Sequence, residues 1–495
     1  MRVWKRQMNA VTRAYHENRM AVWLIAAFTA IRLAVAPTFG LGTDEAHYVL
    51  YAKFLDLSYF DHPPLVGWTH ALFFYTLGEN EFLARLPAIL LFAVTSFLCY
   101  RFTLLVGGER RALIATAALN SSFLLSGLGL MLLPESLLLP LVFAIMYAVR
   151  RLERSPDVMN FILLGLFLGF AGLAKYTAIL FVPAIALYGV IKKRYDILFN
   201  PRLLISVAVS LSIITPVLYW NVQNDFVSFH YQIDHVVGSH SPDFEALFRS
   251  LAAQFGAYSP PLFCLAFYGL YDSLRGRDSA LLLSALIGCS VMVFFVYESL
   301  FKFTLPHWSA VFYLIFIPLG VVMMDKGPVR VKRGILFFSL GLSIIVTLIL
   351  STELAVKAFR FPDYKSPFSN VYGIKDVLKR ANAIMAADTS SDKALAVTNW
   401  TDVDRTLYYN LPFGSTVFLI DKGDERFSHW ITGSPLGLDI LFLNNHFHWR
   451  DVSREMSCRE VQNAGRMDIL LRGGKVDTVD FVWCRSFGGV KSGYE

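Results

Sequence analysis

The sequence predicts a polytopic α-helical membrane protein that ends in a smaller, soluble α/β domain. Of its 495 residues, 55% are hydrophobic and 17% are charged, whereas soluble proteins carry about 25% charged residues. The apolar residues form runs long enough to cross a bilayer, and basic residues cluster between these runs. Both features end near Ser351, so we divide the chain into a membrane domain, 1–351, and a C-terminal domain, 352–495.

Transmembrane helices are predicted from the lengths of the apolar runs. A hydrocarbon core about 30 Å thick requires about 20 apolar residues in each helix. This criterion predicts about eleven spans, at residues 20–37, 84–106, 112–131, 135–150, 158–174, 176–191, 203–219, 257–274, 279–297, 308–324 and 334–351.

The basic residues provide an independent test, because they favour the cytoplasmic side of a membrane. Clusters precede the first span and follow the second, fourth, sixth, eighth and tenth, so alternating spans place them all on one side. We therefore expect a cytoplasmic N-terminus and a retained first helix, not a cleaved signal peptide. The alternation of basic clusters also requires a turn near Lys175. Because the basic residues lie in short clusters between apolar runs, the net charge of +7 does not indicate a nucleic-acid partner.

The opposite side of the membrane receives the long first loop, 38–83, and the C-terminal domain. Within the loop, Glu45–Leu57 and Pro64–Leu77 have amphipathic helical patterns typical of segments at a membrane surface. In the C-terminal domain, the pattern predicts a helix and three strands, at Gly373–Ala387, Ala394–Val397, Thr416–Ile420 and Ile440–Leu443.

The five cysteines fall into two groups. Cys99, Cys264 and Cys289 lie in predicted spans, where we expect them to pack as small apolar side chains. Cys458 and Cys484 lie in the exported domain, where an oxidising compartment favours disulfides. We predict that these two pair; the alternative is two free, buried thiols.

Acidic and basic groups crowd into the first loop, in Gly42-Thr43-Asp44-Glu45-Ala46-His47-Tyr48 and Tyr59-Phe60-Asp61-His62-Pro63-Pro64-Leu65. Carboxylates beside a membrane span are costly to bury, which favours a functional role. Asp44 is the leading candidate for a catalytic base, and its structural alternative is a helix N-cap. Glu45 either assists it or stabilises the helix N-terminus electrostatically. His62 is a candidate for binding the donor phosphate or substrate, and its alternatives are a turn residue before Pro63-Pro64 and a hydrogen-bonding residue at the membrane interface.

Further polar residues collect at the span ends and loops on the same side, namely Glu135, Lys175, Tyr176, Asn221, Lys302 and His307. Lysines there oppose the positive-inside bias. Lys175 and Lys302 are therefore candidates for binding a lipid-linked phosphate as point charges. The alternative for Lys175 is a side chain that snorkels from a helix end. Arg32, inside the first span, needs a partner, and a loop carboxylate is the expected one.

The sequence carries no established metal or nucleotide motif. His47, His62 and His70 match no known ligand spacing, and neither a Walker A motif nor a Gly-rich strand–turn–helix is present. We expect no required cofactor, while a divalent metal stays open.

The two first-loop segments resemble the signature of bacterial glycosyltransferase family 39, the relatives of protein O-mannosyltransferases and lipid A aminoarabinose transferases. Gly172-Leu173-Ala174-Lys175-Tyr176-Thr177 is similar to the family's GLxKYT segment. The family's PxxxWN…SF..Q segment resembles Pro216-Val217-Leu218-Tyr219-Trp220-Asn221 with Ser228-Phe229 and Gln232. A later loop motif resembles Leu305-Pro306-His307-Trp308, so the resemblance covers roughly residues 20–320.

The resemblance implies the GT-C fold, a polyprenyl-phosphate sugar as donor, and inversion at the anomeric carbon. It maps the family's first-loop acid onto Asp44, as base or acceptor-orienting group, and a second acidic position onto Glu135. In the aminoarabinose transferases, a lysine implicated in binding the donor phosphate stands where this chain has His62. This departure argues against that particular substrate.

The function expected from the sequence is sugar transfer from a polyprenyl phosphate to a hydroxyl of lipid A, lipopolysaccharide or another glycolipid. The reaction is expected at the periplasmic face of the bacterial inner membrane, with the C-terminal domain in the periplasm. Two alternatives stay open: a protein O-mannosyltransferase, and a non-catalytic carrier or flippase of lipid-linked sugars.

Overall fold

The computed structural model describes residues 2–237, 241–275, 279–325, 330–421 and 430–491. Its contacts divide the chain into two compact units. The helical unit comprises Met1–Ala36 and Asp56–Ser351, and the α/β unit comprises Pro37–Leu55 and Thr352–Glu495. The sequence assigned the whole first loop to the membrane domain, whereas its first part packs with the α/β unit.

The helical unit is built from α-helices numbered along the whole chain. They are α1 (Arg2–Val35), α2 (Thr43–Lys53, which belongs to the α/β unit), α3 (Leu65–Leu77), α4 (Glu81–Gly107), α5 (Glu109–Ser121), α6 (Phe123–Leu128), α7 (Pro134–Arg154), α8 (Val158–Ala174), α9 (Phe181–Ile191), α10 (Tyr195–Leu198), α11 (Leu203–Gln223), α12 (Val227–Val237), α13 (Phe244–Ala257), α14 (Pro260–Arg275), α15 (Ser279–Ser299), α16 (Ala310–Asp325) and α17 (Arg330–Val356). Single 3₁₀ turns, Tyr176–Leu180 and Pro306–Ser309, lead into α9 and α16.

Six segments of the described helices are long and apolar enough to cross a membrane. They are Asn18–Val35, Glu81–Gly107, Leu203–Gln223, Leu281–Ser299, Pro306–Asp325 and Lys332–Val356. The stretches Leu65–Leu77, Val158–Ala174 and Tyr176–Ile191 are apolar but shorter. A total of about eleven spans therefore remains a prediction.

The predicted span 112–131 is not one continuous helix. α5 ends at Ser121, one extended residue follows, and the short α6 begins. Other helices use the polar groups of this segment: Thr347 Oγ1 donates to the Ser121 carbonyl at 2.8 Å, and Asn120 Oδ1 accepts from Arg32 at 3.0 Å. α5 therefore ends where the Ser121 carbonyl and the Asn120 side chain accept hydrogen bonds from neighbouring helices.

Arg32 in α1 has different partners from the expected loop carboxylate. The residue is buried, and its guanidinium donates to Asn120 Oδ1 and Ser126 Oγ, each at 3.0 Å. The guanidinium carbon, Cζ of Arg32, lies 4.6 Å from the centre of the Phe92 ring. Neutral oxygens from α5 and α6 and an aromatic ring from α4 thus satisfy this cation.

Two glycines bring α14 and α16 into close contact. A Cβ atom on Gly320 would lie 2.2 Å from the carbonyl oxygen of Leu265, and one on Gly269 would lie 2.4 Å from that of Phe316. Backbone atoms cannot turn aside as side chains do, so a larger residue would push the helices apart. Small residues at helix contacts are usual in membrane proteins.

Among its described residues, the α/β unit has five strands and three α-helices besides α2. The strands are β1 (Lys393–Val397), β2 (Val417–Leu419), β3 (Asp439–Asn445), β4 (Glu460–Leu471) and β5 (Gly474–Arg485); the helices are α18 (Ile374–Ala387), α19 (Trp400–Asn410) and α20 (Val452–Glu455). The helix and three strands predicted from the sequence are present as α18, β1, β2 and β3.

The strands form one sheet in the order β2-β1-β3-β5-β4. β1 is parallel to β2 and β3, whereas β5 is antiparallel to β3 and β4. The hairpin of β4 and β5 was not predicted, because the first residues of β4 are exposed in succession and show no alternation. Cys458 and Cys484 form a disulfide at this hairpin, with Cα atoms 5.2 Å apart.

The segment 37–55 is anchored to α19 in the same unit. The Leu41 N–H donates to the Tyr409 hydroxyl at 2.8 Å, and His47 Nδ1 lies 3.0 Å from Asp404 Oδ1. Both side chains of the second pair are buried. These contacts are why the beginning of the first loop groups with residues far along the chain.

We expect Gly320→Ala to lower the free energy of unfolding by about 1–3 kcal/mol, because the added methyl group overpacks a backbone contact. The measurement is thermal unfolding of the purified protein in detergent. Gly341→Ala in α17 is the matched control, since its Cβ would meet no heavy atom within 4 Å. Equal melting temperatures for the two variants would contradict the close helix approach.

Candidate active site

A buried ion pair lies where two helices of the helical unit meet. Glu135 is in the first turn of α7, and Lys175 directly follows α8 with an extended backbone, φ −157° and ψ 137°. Their side chains are paired, and the residues are 3% and 7% exposed. Because an unpaired buried charge is costly, each side chain stabilises the buried position of the other.

The turn before α16 adds more of the predicted residues. His307 Nε2 lies 3.8 Å from Glu135 Oε1. The centre of the Trp308 ring is 6.0 Å from Lys175 Nζ and 5.8 Å from Lys302 Nζ. The structure therefore brings together Glu135, Lys175, Lys302 and His307 around Trp308, and we call these five residues the lysine cluster.

Lys302 has the less buried side chain of the two lysines in the cluster. Its side chain is 30% exposed, compared with 8% for Lys175, and its Nζ lies 2.7 Å from Glu298 Oε1. Glu298 was not predicted as a site residue, although a glutamate four residues before a lysine has the usual spacing of a helical ion pair. The exposed part of Lys302 is therefore its alkyl chain, because its Nζ is itself buried.

The second part of the first loop, 56–62, is held by residues of the predicted motifs. Trp220 Nε1 donates to Asp56 Oδ2 at 2.7 Å, and Ser228 Oγ donates to the Tyr59 carbonyl at 2.8 Å. These bonds join the loop to α11 and α12. The motif tryptophan and serine thus position the loop backbone and its acidic first residue.

The end of this loop has similar support. Gln232 Nε2 donates to the Asp61 carbonyl at 2.8 Å, and the Tyr176 hydroxyl lies 3.3 Å from Ser58 Oγ. His62 Nδ1 is 3.1 Å from Asp61 Oδ2. The predicted residues Tyr176 and His62 therefore lie on or against one fixed loop of the helical unit.

Asn221 occupies a position inside the protein. The residue is 0% exposed, and its Nδ2 donates to the Val217 carbonyl at 3.0 Å. Its backbone carbonyl accepts from the Phe226 N–H at 2.7 Å. These bonds stabilise the end of α11. A contact between Asn221 and substrate remains a prediction.

Asp44 and Glu45 lie at the start of α2, in the α/β unit. The helix begins at Thr43 with Gly42 as its N-cap, so Asp44 is an exposed residue of the first turn and not the N-cap. Glu45 takes the capping role: it is 3% exposed, and its Oε2 accepts the Gly42 N–H at 3.1 Å. This geometry places Glu45 in the helix-terminus role and leaves Asp44 at the surface.

The histidines considered as metal ligands lie in different settings. His47 pairs with Asp404, His62 lies beside Asp61, and His70 is buried in α3. In the part of the chain that the structure describes, no group of three or more His, Cys, Asp or Glu side chains is arranged to hold a metal ion.

The chemistry available differs between the two units. The lysine cluster places ammonium groups beside carboxylates at the ends of apolar helices, which suits a phosphate carried on a lipid. The exposed carboxylate of Asp44 is suited to accept a proton from a hydroxyl group.

Comparison with known families matches one segment of the chain. A family model described as dolichyl-phosphate-mannose-protein mannosyltransferase matches residues 61–220. This segment contains His62, Glu135 and Lys175, but it begins after Asp44.

Two curated proteins of Rhizobium johnstonii are similar in sequence. The lipid A galacturonosyltransferase RgtD is 26% identical over 247 residues, which are 48% of this chain and 50% of that protein. The lipopolysaccharide core galacturonosyltransferase RgtB is 27% identical over 223 residues, 41% of this chain and 43% of that protein. The alignments thus span half or less of the length of these relatives.

Two crystal structures of ArnT from Cupriavidus metallidurans resemble nearly the whole chain. The apo structure gives a TM-score of 0.65 at 15% identity, covering 94% of this chain and 98% of that one. The structure bound to undecaprenyl phosphate gives a TM-score of 0.64 at 14% identity, with the same coverage. At this level of identity, the likeness shows a shared fold.

We expect Glu135→Gln to destabilise the protein by about 3–5 kcal/mol, because it leaves the buried Lys175 ammonium without a counter-charge. The double variant Glu135→Gln/Lys175→Met should recover part of that loss, since both charges are then removed. Thermal unfolding in detergent measures the coupling.

The matched control is Asp196→Asn, because the side chains of the Arg194–Asp196 pair are 24% and 55% exposed, so we expect a much smaller loss of stability. Additive effects of the Glu135 and Lys175 substitutions would argue against a buried, coupled pair.

Proposed function

We propose that this chain, a membrane protein of the GT-C fold that resembles glycosyltransferase family 39, is an inverting glycosyltransferase. Its donor is a sugar linked to a polyprenyl phosphate, and its acceptor is a hydroxyl of lipid A, of the lipopolysaccharide core or of another glycolipid. The reaction takes place at the periplasmic face of the inner membrane, with a cytoplasmic N-terminus and a periplasmic C-terminal domain.

The lysine cluster is the observation that carries this proposal. Lys175 and Lys302 both lie within about 6 Å of the Trp308 ring centre, and both have carboxylate neighbours. A cation buried among apolar helices raises the free energy of the protein, and binding of an anion lowers it again. A phosphate on a lipid arrives at such a site from within the bilayer.

The charges of the cluster also suit the departure of a phosphate. A sugar phosphodiester carries one negative charge, and the monophosphate that leaves carries about two at neutral pH. Lys302 and Lys175 stabilise the charge that develops on the leaving oxygen, which is the larger part of catalysis in transfers of this type. A metal ion is not needed for that role.

Asp44 is assigned the role of general base for the acceptor hydroxyl. Its carboxylate takes the hydroxyl proton, the acceptor oxygen forms a bond to the anomeric carbon, and the bond from that carbon to the phosphate oxygen breaks. The polyprenyl phosphate leaves with the electron pair. A single displacement of this kind inverts the configuration at the anomeric carbon. His62, Tyr176, His307 and Asn221 are proposed to contact the substrates.

The acceptor class is supported by the curated relatives, which are named for lipid A and for the lipopolysaccharide core. The family model favours a second candidate, because its description names a protein mannosyltransferase. A non-catalytic lipid-linked sugar carrier is the remaining alternative. These functions differ in the product they form, so one assay separates them.

We expect Asp44→Asn to lower kcat for sugar transfer by about 10²–10⁴-fold, because the amide cannot accept the acceptor proton. The assay uses purified full-length protein in detergent, radiolabelled polyprenyl-phosphate sugars, and either extracted lipopolysaccharide or an unfolded polypeptide as acceptor.

The matched control is Asp376→Asn, which removes another exposed carboxylate from the first turn of a helix in the same unit. Equal losses in both variants would indicate a helix-terminus effect and remove Asp44 from catalysis. Label on the polypeptide alone would replace the glycolipid acceptor, and binding of donor without transfer would favour a carrier.

We expect Lys302→Gln to raise the KM for the polyprenyl-phosphate sugar by about 10-fold or more, since a charge-assisted contact with phosphate contributes about 1.5–3 kcal/mol. Lys332→Gln is the control, because Lys332 also lies over an aromatic ring, 5.6 Å from the centre of Tyr268, outside the cluster. An unchanged donor KM in Lys302→Gln would place the phosphate elsewhere.

A further inference from the structure

A polar cavity of about 350 Å³ lies in the α/β unit at the carboxyl ends of two parallel strands. Val397, the last residue of β1, and Asn445, the last residue of β3, both line it. From β1 the chain moves to β2 on one side and then to β3 on the other, so the strand order reverses between β1 and β3. Ligands of open α/β sheets bind at such switch points.

Asp402, in the first turn of α19, is the centre of the polar lining. Its Oδ2 accepts from Asn445 Nδ2 at 2.6 Å and lies 2.7 Å from His448 Nδ1. Its Oδ1 lies 3.6 Å from Arg405 Nη2. Residues that follow two different strands are thus fixed around one carboxylate, and they are held in place before any ligand arrives.

Two polar groups of the lining are buried without a hydrogen-bond partner among the described residues. They are Arg405 Nε and the Tyr372 hydroxyl. Arg405 Nη1 donates to the Asn370 carbonyl and Nη2 pairs with Asp402, so Nε is the guanidinium nitrogen left for a ligand. Buried donors left unpaired destabilise the folded protein, and a ligand bearing acceptor oxygens would satisfy them.

The charges of the lining are nearly balanced. Two basic residues, Arg405 and His448, and two acidic residues, Asp402 and Asp477, line the same cavity. The hydrogen bond with Asp402 raises the pKa of His448, and burial raises the pKa of Asp477. A phosphate would meet two carboxylates, and a simple cation would meet a guanidinium. The cavity is therefore better suited to a neutral ligand with many hydroxyl groups.

An aromatic side chain and the first-loop helix complete the cavity. Phe447 is 47% exposed and lines the cavity, so it places an aromatic side chain where the C–H groups of a sugar could pack. Thr43, the first residue of α2, also lines it, and its hydroxyl donates to the Thr401 carbonyl at 3.1 Å. The cavity thus reaches the residue directly before Asp44.

We propose that this cavity is a saccharide-binding subsite that holds one sugar residue of the acceptor glycan, an assignment of the ligand that rests on the proposed function. Asp402, Asn445 and His448 present fixed donors and acceptors to vicinal hydroxyls, and Arg405 donates to a hydroxyl or ring oxygen. The volume lies near the lower end of small-molecule sites, about 300–1,000 Å³, which fits one sugar ring with its substituents.

The experiment measures binding and transfer separately on the full-length protein in detergent. The probe is the deacylated core oligosaccharide of lipopolysaccharide, with inorganic phosphate as a competitor, and the binding readout is saturation-transfer NMR in the absence of donor. Arg405→Lys and Phe447→Ala are the test variants. The second removes an exposed side chain and so preserves the core.

The matched controls are Arg466→Lys and Trp449→Ala. Arg466 also pairs with an aspartate but is 66% exposed on β4, and Trp449 is 57% exposed and outside the lining. We expect each test variant to weaken oligosaccharide binding at least 10-fold and to raise the acceptor KM with little change in kcat. Both controls should behave as wild type.

The outcomes separate this inference from the proposed function. Binding lost in the test variants supports the subsite, even if the wild type transfers no sugar. Transfer by the wild type with unchanged binding and acceptor KM in both test variants overturns the subsite and leaves the transferase intact. Absence of oligosaccharide binding to the wild type, or its displacement by millimolar phosphate, also overturns it.

Discussion

The buried contact between His47 and Asp404 is the interaction on which the placement of the proposed catalytic base depends. It joins residues 357 positions apart and fastens α2 to α19. Trp430 packs against the His47 ring, with ring centroids 5.3 Å apart. A buried polar pair of this kind is costly to break, since either partner alone would be left unsatisfied. The C-terminal part of the chain therefore holds in place the helix that carries Asp44.

Two buried cations of the helical unit have different partners, and the difference indicates which of them has a structural role and which could bind a ligand. Arg32 is satisfied by neutral oxygens of Asn120 and Ser126, which do not exchange with a ligand. Lys175 is instead paired with a carboxylate that shares its surroundings with His307. A second anion that enters this group of side chains can pair with the same Lys175 ammonium while the ammonium stays shielded from water. This difference favours Lys175, and not Arg32, as part of a phosphate site.

The sequence predicted the parts of the structure that depend on local pattern. Apolar runs located the long helices, and alternation located β1, β2 and β3. The motif resemblance singled out Lys175 and His307, the charge pattern singled out Lys302, and the fold brings the three together. It did not predict features created by pairing between distant segments. Asp402, Arg405 and His448 look like ordinary surface residues along the chain, and they become a cluster because β1 and β3 are parallel neighbours. The grouping of 37–55 with residues beyond 351 escaped prediction for the same reason.

The first turns of α19 serve two purposes at once, and this links recognition to catalysis within one unit. Thr401 and Asp404 hold α2 through Thr43 and His47. The residues between and beside them on α19 line the cavity at the strand ends. A helix has one rigid axis, so a ligand that orders the lining also restrains the turn that fixes the start of α2. In the proposed reaction, a glycan bound in the cavity would contact the same element that positions the carboxylate meant to receive its proton, and orientation of acceptor and base would follow from a single binding event.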